Sequence, residues 1–196
     1  MTKFKPVTKR LVEELSLIVG RENVLTRPEE REAYSHDETP IPRPHLPDVV
    51  VKPENAAAVA RVLALANEAH VPVTPRGAGT GLSGGAVPIF GGILLSLEKM
   101  NRIKEIDEDN FIAVAEPGVT LDDLYQAVES QGLYYPLYPG EKSAHIGGNV
   151  ATNAGGMRAV KYGVTRNFVL GLEAVLASGQ IIRTGGKFVK CSTAYC

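Results

Sequence analysis

Pro75-Arg76-Gly77-Ala78-Gly79-Thr80-Gly81-Leu82-Ser83-Gly84-Gly85 is the stretch on which the reading of this sequence turns. Its glycines strip side chains from a short segment, so that several backbone N–H groups can converge on one anion, while Thr80 and Ser83 add hydroxyl donors and Arg76 adds charge. A pyrophosphate is the natural guest. Gly79 to Gly84 also satisfy the GxGxxG pattern of dinucleotide-binding loops, and Glu98 stands downstream where an acidic ribose ligand would. That pattern must open a helix, however, and Pro88, Gly91 and Gly92 leave no room for one before Ile93-Leu94-Leu95. No Lys-Ser or Lys-Thr follows the last glycine, so a P-loop is excluded too. A plain glycine-rich turn would explain one or two of these glycines but not their density.

Upstream, Asp48-Val49-Val50-Val51-Lys52 is short, β-branched and ended by Pro53, which predicts a buried strand. A helix is expected from about Glu54 to His70, with Val59, Leu63 and Ala66 at helical spacing, Asn55 or Glu54 as cap, and Pro72 preventing continuation. Val71 to Thr74 then forms a strand that feeds the glycine loop. The segment Thr8 to Val19 is a plausible amphipathic helix, followed by an extended connection rich in proline at 40, 42, 44 and 47. Downstream, Phe111 to Ala115 is a strand, Pro117-Gly118 a turn, and Thr120-Leu121-Asp122-Asp123 resembles a capping box. Its helix ends at Gly132, with Leu121, Leu124 and Val128 on one face. Val169 to Ala177 is apolar, and Ser178-Gly179-Gln180 reads as a hairpin turn into Ile181-Ile182-Arg183.

Bulk properties narrow the function classes. The 196 residues are 44% hydrophobic, enough to bury a core, and 21 Lys plus Arg nearly balance 22 Asp plus Glu. Such a balance gives no net field to attract nucleic acid or an anionic membrane. Glu13 and Glu14 interrupt the apolar residues of the amino-terminal stretch, so neither a signal-peptide core nor a transmembrane segment is expected and the location is read as cytoplasmic. The two cysteines, Cys191 and Cys196, form no disulfide framework or metal knuckle. His36, His45, His70 and His145 are scattered, so no metal site is expected.

A second cluster runs from Tyr138-Pro139-Gly140-Glu141-Lys142-Ser143-Ala144-His145-Ile146-Gly147-Gly148-Asn149-Val150-Ala151-Thr152-Asn153-Ala154 to Gly155-Gly156, with Tyr162-Gly163 beyond. Glycines alternating with hydroxyl and amide residues suit a long loop whose backbone bonds a planar ligand, rather than a helix or strand. The two clusters in this order, with Ser96 to Ile103 and Glu116 to Thr120 between them, closely resemble the vanillyl-alcohol-oxidase type of FAD-binding domain. Within that superfamily the chain is most similar to the glycolate oxidase FAD subunit, D-lactate dehydrogenase and D-2-hydroxyglutarate dehydrogenase branch. The likeness runs from about Val12 to Ser192.

The resemblance implies an α+β fold with two α/β subdomains and an FAD groove between them: an amino-terminal helix and connection over 1–46, a first subdomain over 47–100, and an incomplete second one over 101–196. Arg76, Gly77, Ala78, Gly79, Thr80, Gly81, Leu82 and Ser83 would wrap the FAD pyrophosphate. Gly140, Ser143, Gly147, Gly148, Thr152, Asn153, Gly156 and Gly163 would line the cofactor toward the flavin. Thr80 stands where some relatives carry a flavin-linking histidine, so the FAD should be noncovalent, and His145 is read as structural. After Lys190 the sequence departs from the family pattern, and the substrate domain that supplies the acid-binding arginine, the base and a metal site in relatives is expected to be absent. No catalytic residue is therefore assigned. The implied parent chemistry is hydride transfer from the α-carbon of a D-2-hydroxy acid such as glycolate or D-lactate to flavin N5, with electrons leaving through a protein carrier or quinone. The chain itself is expected to bind FAD weakly or not at all, to turn over no substrate, and to self-associate through open strand edges. Two alternatives accompany this reading: a flavin-binding module or inactive remnant, and an NAD-binding protein using the GxGxxG string.

Overall fold

The computed structural model describes residues 4–40 and 44–188; Pro42, Cys191, Cys196 and the departure after Lys190 lie outside them. Two compact units divide the chain, Met1–Met100 with Val175–Ile181 and Asn101–Ala174 with Ile182–Cys196. Both mix helix and strand.

The first unit contains α1 (Lys9–Val19), β1 (Val24–Leu25), α2 (Pro28–Arg31), β2 (Val49–Val51), α3 (Ala56–Ala69), β3 (Val73–Arg76) and β4 (Ile93–Ser96). Thr8 caps α1 by accepting from Leu11 N at 3.2 Å, and Leu11 and Leu15, one turn apart, are its buried residues. Asn55 caps α3 through Ala58 N at 2.9 Å, and the helix stops as expected at His70, which adopts the left-handed conformation two residues before Pro72. The face of α3 that turns inward carries Val59, Val62 and Ala66, whereas Leu63 lies half-buried at its margin.

The strands form one sheet in the order β1-β2-β4-β3. β1 runs antiparallel to β2, and both β2 and β3 run parallel to β4, with Val50 and Thr74 each opposite Leu94. A strand paired on both edges and covered on both faces reads as a continuous apolar run, and all four residues of β4 are buried. Val49, Val51, Ile93 and Leu95 face Leu11, Leu15, Val59, Val62 and Ala66 in one core. Each fully buried aliphatic side chain there is worth roughly 1.5–3 kcal/mol. Gly92 permits the close approach at the head of β4: its φ is +73°, and a Cβ would run into the Pro72 carbonyl oxygen. No helix forms between β3 and β4, as Pro88, Gly91 and Gly92 require.

The second unit begins with β5 (Ile103–Asp107) and β6 (Ile112–Ala115), an antiparallel pair with a register shift between Ile103 and Glu105. There follow α4 (Leu121–Glu129), α5 (Ile146–Thr152) and α6 (Ala159–Tyr162). Thr120 caps α4, accepting from Asp123 N at 3.0 Å while donating to the Asp123 carboxylate at 2.6 Å. Val119, Leu124 and Val128 form the small core of this unit. β7 (Gly171–Val175) and β8 (Ile181–Gly185) form the expected hairpin, whose turn end, 175–181, is grouped with the first unit. Its turn is fastened by Leu176 N to Gln180 O at 2.9 Å, with Gly179 at φ +84°.

The second glycine cluster is not one long loop, because α5 lies inside it and α6 follows directly after it. Tertiary hydrogen bonds override the poor helix propensity of adjacent glycines: Ile146 N donates to Val119 O at 2.8 Å and Gly147 N to Pro117 O at 2.8 Å, which fixes where α5 starts. Asn153, at φ +50°, ends it.

The packing predicts a clear hierarchy of stability changes. Ile93→Ala should cost about 2–5 kcal/mol by opening a cavity in the central strand, whereas Asn55→Ala should cost about 1 kcal/mol by removing a cap. Urea unfolding of both variants checks the order; equal losses would contradict the central place given to β4.

Candidate functional site

The carboxyl ends of β2, β3 and β4 lie side by side, and each is followed by a charged or polar group. Lys52 follows β2, Arg76 closes β3, and Ser96 closes β4 two residues before Glu98. The segment Ala33 to Asp37 is gripped by these ends. Tyr34 donates its hydroxyl to Glu98 Oε2 at 3.1 Å, and Lys52 Nζ pairs with Glu98 Oε1 at 2.7 Å. Ser96 Oγ donates to Glu98 Oε2 at 2.8 Å. Burial opposes ionisation of Glu98, but the bonds from Lys52, Ser96 and Tyr34 outweigh it and hold its carboxyl below the ordinary value. Lys52 is likewise resisted by burial and net raised by Glu98 and Tyr34. Glu98 is thus committed within the protein, and the downstream acid of a dinucleotide fingerprint is missing along with its helix.

From this platform the first glycine loop departs. Leu97 N donates to Arg76 O at 3.0 Å where the ladder ends, and Val87 N donates to Gly84 O at 3.2 Å where the loop turns back. Between them, among the described residues, no backbone N–H from Gly77 through Ala86 has a protein acceptor, and neither do the hydroxyls of Thr80 and Ser83. Gly77 to Thr80, Gly84 and Ala86 are partly sheltered, whereas Gly81 to Ser83 and Gly85 are exposed. A run of donors left open in a partly sheltered loop is a cradle for a group rich in acceptor oxygens.

The glycines sort by what a side chain would meet. At Gly79, φ is +79° and a Cβ would fall on the Arg76 guanidinium. Gly81 and Gly85 have ordinary φ, and among the described residues the nearest neighbour of a Cβ at Gly81 is Asp37 Oδ2 at 3.9 Å, with nothing within 4 Å of Gly85. Neither protein packing nor backbone conformation demands glycine at these two positions. Arg76 itself is buried and points its guanidinium at the carbonyls of His36 (2.5 Å) and Ala33 (3.2 Å).

In the second unit the expected residues are distributed among several structural tasks. Ser143 bonds the Glu141 carboxylate through N (2.9 Å) and Oγ (2.8 Å), Thr152 Oγ1 donates to Gly148 O at 3.0 Å, and Asn153 Oδ1 accepts from Arg166 N at 3.0 Å. Gly147 lies against Pro117, 2.6 Å from its Cβ were a side chain added, and Gly156 at φ +110° lies against Tyr138 and Pro139. Gly163, at φ +92°, leaves room for Asn167. Gly148 and Gly140 face open space among the described residues, Gly148 with ordinary φ inside α5. His145 precedes α5 and bridges Thr120 through the backbone.

Two polar groups were not singled out from sequence. Asp37 is buried, with Oδ1 accepting from Thr39 N at 3.1 Å and Oδ2 without a partner among the described residues. Asn149 is buried with its Nδ2 similarly unpartnered. A buried polar atom with no partner calls for explanation, and the signal for it is three-dimensional. Among the described residues no cluster of His, Cys, Asp and Glu could hold a metal ion, and no helix is long and apolar enough to cross a membrane.

The FAD binding domain family matches residues 47–185. Over 190 residues the chain is 47% identical to the glycolate oxidase subunit GlcD of Bacillus subtilis, covering 96% of this chain and 40% of that protein. It is 53% identical over 167 residues to a D-lactate dehydrogenase of Archaeoglobus fulgidus, covering 84% of this chain and 38% of that protein. Among solved structures it matches p-cresol methylhydroxylase with substrate bound, at a TM-score of 0.80 and 28% identity over 97% of this chain and 38% of that one. The chain therefore spans about 40% of the length of the curated relatives it matches.

The anchor of the turn that receives α5 is Glu116, whose side chain is 2% exposed and bonded by Arg102 through Nη2 (2.9 Å), Nε (3.2 Å) and backbone N (3.0 Å). The Arg102 bond above all holds its carboxyl below the ordinary 4.5, with burial opposing. A carboxylate so lowered stabilises the fold fully above the unfolded value and loses that contribution as pH falls through the folded one. Glu116→Gln should therefore lower the urea midpoint at pH 7, and its gap from wild type should close as pH drops below 4.5. A gap independent of pH would contradict the assignment.

Proposed function

The chain belongs to the FAD binding domain family, and on that premise we propose that it is the flavin-holding part of an FAD-dependent oxidoreductase acting on the CH–OH group of 2-hydroxy acids. The observation that carries the reading is the run of unpartnered N–H groups from Gly77 through Ala86. Pyrophosphate offers many acceptor oxygens and negative charge in a small volume, so one guest can satisfy several of these donors together. Gly81, Gly85 and Gly148, which packing leaves unexplained, keep room for that guest and for the remainder of the cofactor. Asn149 Nδ2 joins the second set as a donor.

The assignment of roles is as follows. The backbone of Gly77 to Ser83 holds the pyrophosphate, and Gly140, Ser143, Gly147, Gly148, Thr152, Asn153, Gly156 and Gly163 form the second cofactor-lining stretch. Residues 47–100 and 101–196 are the two FAD-binding subdomains. With Thr80 in the first loop, attachment is noncovalent. Bound FAD supplies a two-electron acceptor for the α-hydrogen of the substrate. The substrate class, a D-2-hydroxy acid such as glycolate or D-lactate, follows the named relatives. A protein or quinone electron acceptor and a cytoplasmic location belong to the same proposal. No residue of this chain is assigned as catalytic.

Titration of the 196-residue chain with FAD, followed by flavin fluorescence, should give weak but saturable one-to-one uptake. Gly148→Ala is the sharper test. Alanine is favoured over glycine in a helix by about 1 kcal/mol, so the apoprotein should melt no lower than wild type, while FAD affinity falls at least about tenfold. Undiminished affinity in Gly148→Ala and in Gly85→Ala would sink the reading.

A further inference from the structure

Arg76 stands where a phosphate ligand would be sought, yet its geometry serves another purpose. We propose that Arg76 is a positioning residue: its guanidinium fastens the glycine loop to the Ala33–Asp37 segment and holds the N–H array in place, without itself ligating phosphate. This inference rests on the FAD reading above.

Arg76 is 9% exposed and its two terminal nitrogens already donate, Nη1 to His36 O and Nη2 to Ala33 O. Tyr34 covers one side, its ring centroid 5.8 Å from the guanidinium carbon. Gly79 covers another, since a Cβ there would overlap the guanidinium. To reach a phosphate seated on the loop, the side chain would have to release both carbonyls and leave this slot. Those carbonyls have no other protein donor among the described residues, so release would give up two protein hydrogen bonds at once.

Charge leads to the same conclusion. Asp37 is buried nearby with its Oδ2 unpartnered and turned toward Gly81. Burial pushes the Arg76 guanidinium down, and Asp37 is the foremost charge opposing that. Asp37 thus supplies an internal counter-charge to the Arg76 cation. Arginine suits the slot because its planar fork presents two separate nitrogens to two carbonyls in fixed geometry, whereas an ammonium offers a single nitrogen on a flexible stem.

The test compares Arg76→Ala, Arg76→Lys, Gly79→Ala and the double variant Arg76→Ala/Gly79→Ala in the 196-residue chain. FAD dissociation constants are measured by fluorescence at a temperature where each apoprotein is folded, over low to high salt, alongside apoprotein melting. A positioning role predicts that Arg76→Lys weakens FAD binding about as much as Arg76→Ala, tenfold or more, with the salt dependence of binding unchanged from wild type. The double variant should lose less than the product of the single losses, because both changes disturb one contact. Retained affinity in Arg76→Lys, with a flattened salt dependence in Arg76→Ala, would make Arg76 a phosphate ligand and overturn the inference. Lower melting with unchanged affinity would reduce it to fold maintenance and overturn it equally. Should Arg76→Ala fail to fold, Arg76→Lys and Gly79→Ala carry the comparison. A wild-type chain that takes up no FAD would defeat the parent reading before any substitution is made, and is told apart by that.

Discussion

The parallel pairing of β4 with both β2 and β3 is the constraint on which the rest of the structure depends. Ile93 to Ser96 are buried along their whole length, and the two ladders bring the carboxyl ends of three strands to one edge of the sheet. Parallel strands place the groups that follow them together in space although they are far apart in sequence. Lys52, Arg76 and Glu98 become neighbours for this reason alone. The Ala33–Asp37 segment, which has little regular structure of its own, is then held by all three.

From that edge a loop can project its backbone donors without a helix to organise them. A conventional dinucleotide site uses the amino end of a helix for its pyrophosphate. Here the chain returns directly to β4, and the donors are kept from collapsing onto one another by glycines of two kinds. Gly79 and Gly92 are demanded by left-handed backbone and by close neighbours; Gly81 and Gly85 are demanded by neither. On the proposed reading, the distinction separates glycine that builds the loop from glycine that leaves room for a guest. Gly147 and Gly148 divide in the same way within α5, the first pressed against Pro117 and the second facing open space.

Much of this was legible because its causes are local. The valines of β2, the Asn55 cap of α3, the Thr120 cap of α4 and the Ser178-Gly179 turn each act within a few residues. What escaped the sequence is what long-range contacts impose. β1 is two residues that exist as a strand only by pairing with β2. α2 is a single turn tied down by Arg31, which donates to the carbonyls of Pro47 and Asp48. α5 forms in a glycine-rich run because Val119 and Pro117 anchor its start. On the inward face of α3, periodicity points to Leu63 where Val62 is the buried residue, a shift it cannot resolve in a helix rich in alanine. In the candidate site, the donor-rich loop was evident from composition, whereas the commitments of Arg76, Glu98 and Asp37 appear only once their partners are in view.

The central claim is that the backbone N–H groups of the first glycine loop are open in the free protein and are taken up by the cofactor. Amide hydrogen exchange, resolved by residue, addresses it without relying on a substitution. Without FAD the amides from Gly77 through Ala86 should exchange rapidly, while those of β4 are protected. On adding FAD, the account predicts that protection appears in that loop. FAD uptake that leaves the exchange of Gly77 through Ala86 unchanged would contradict it.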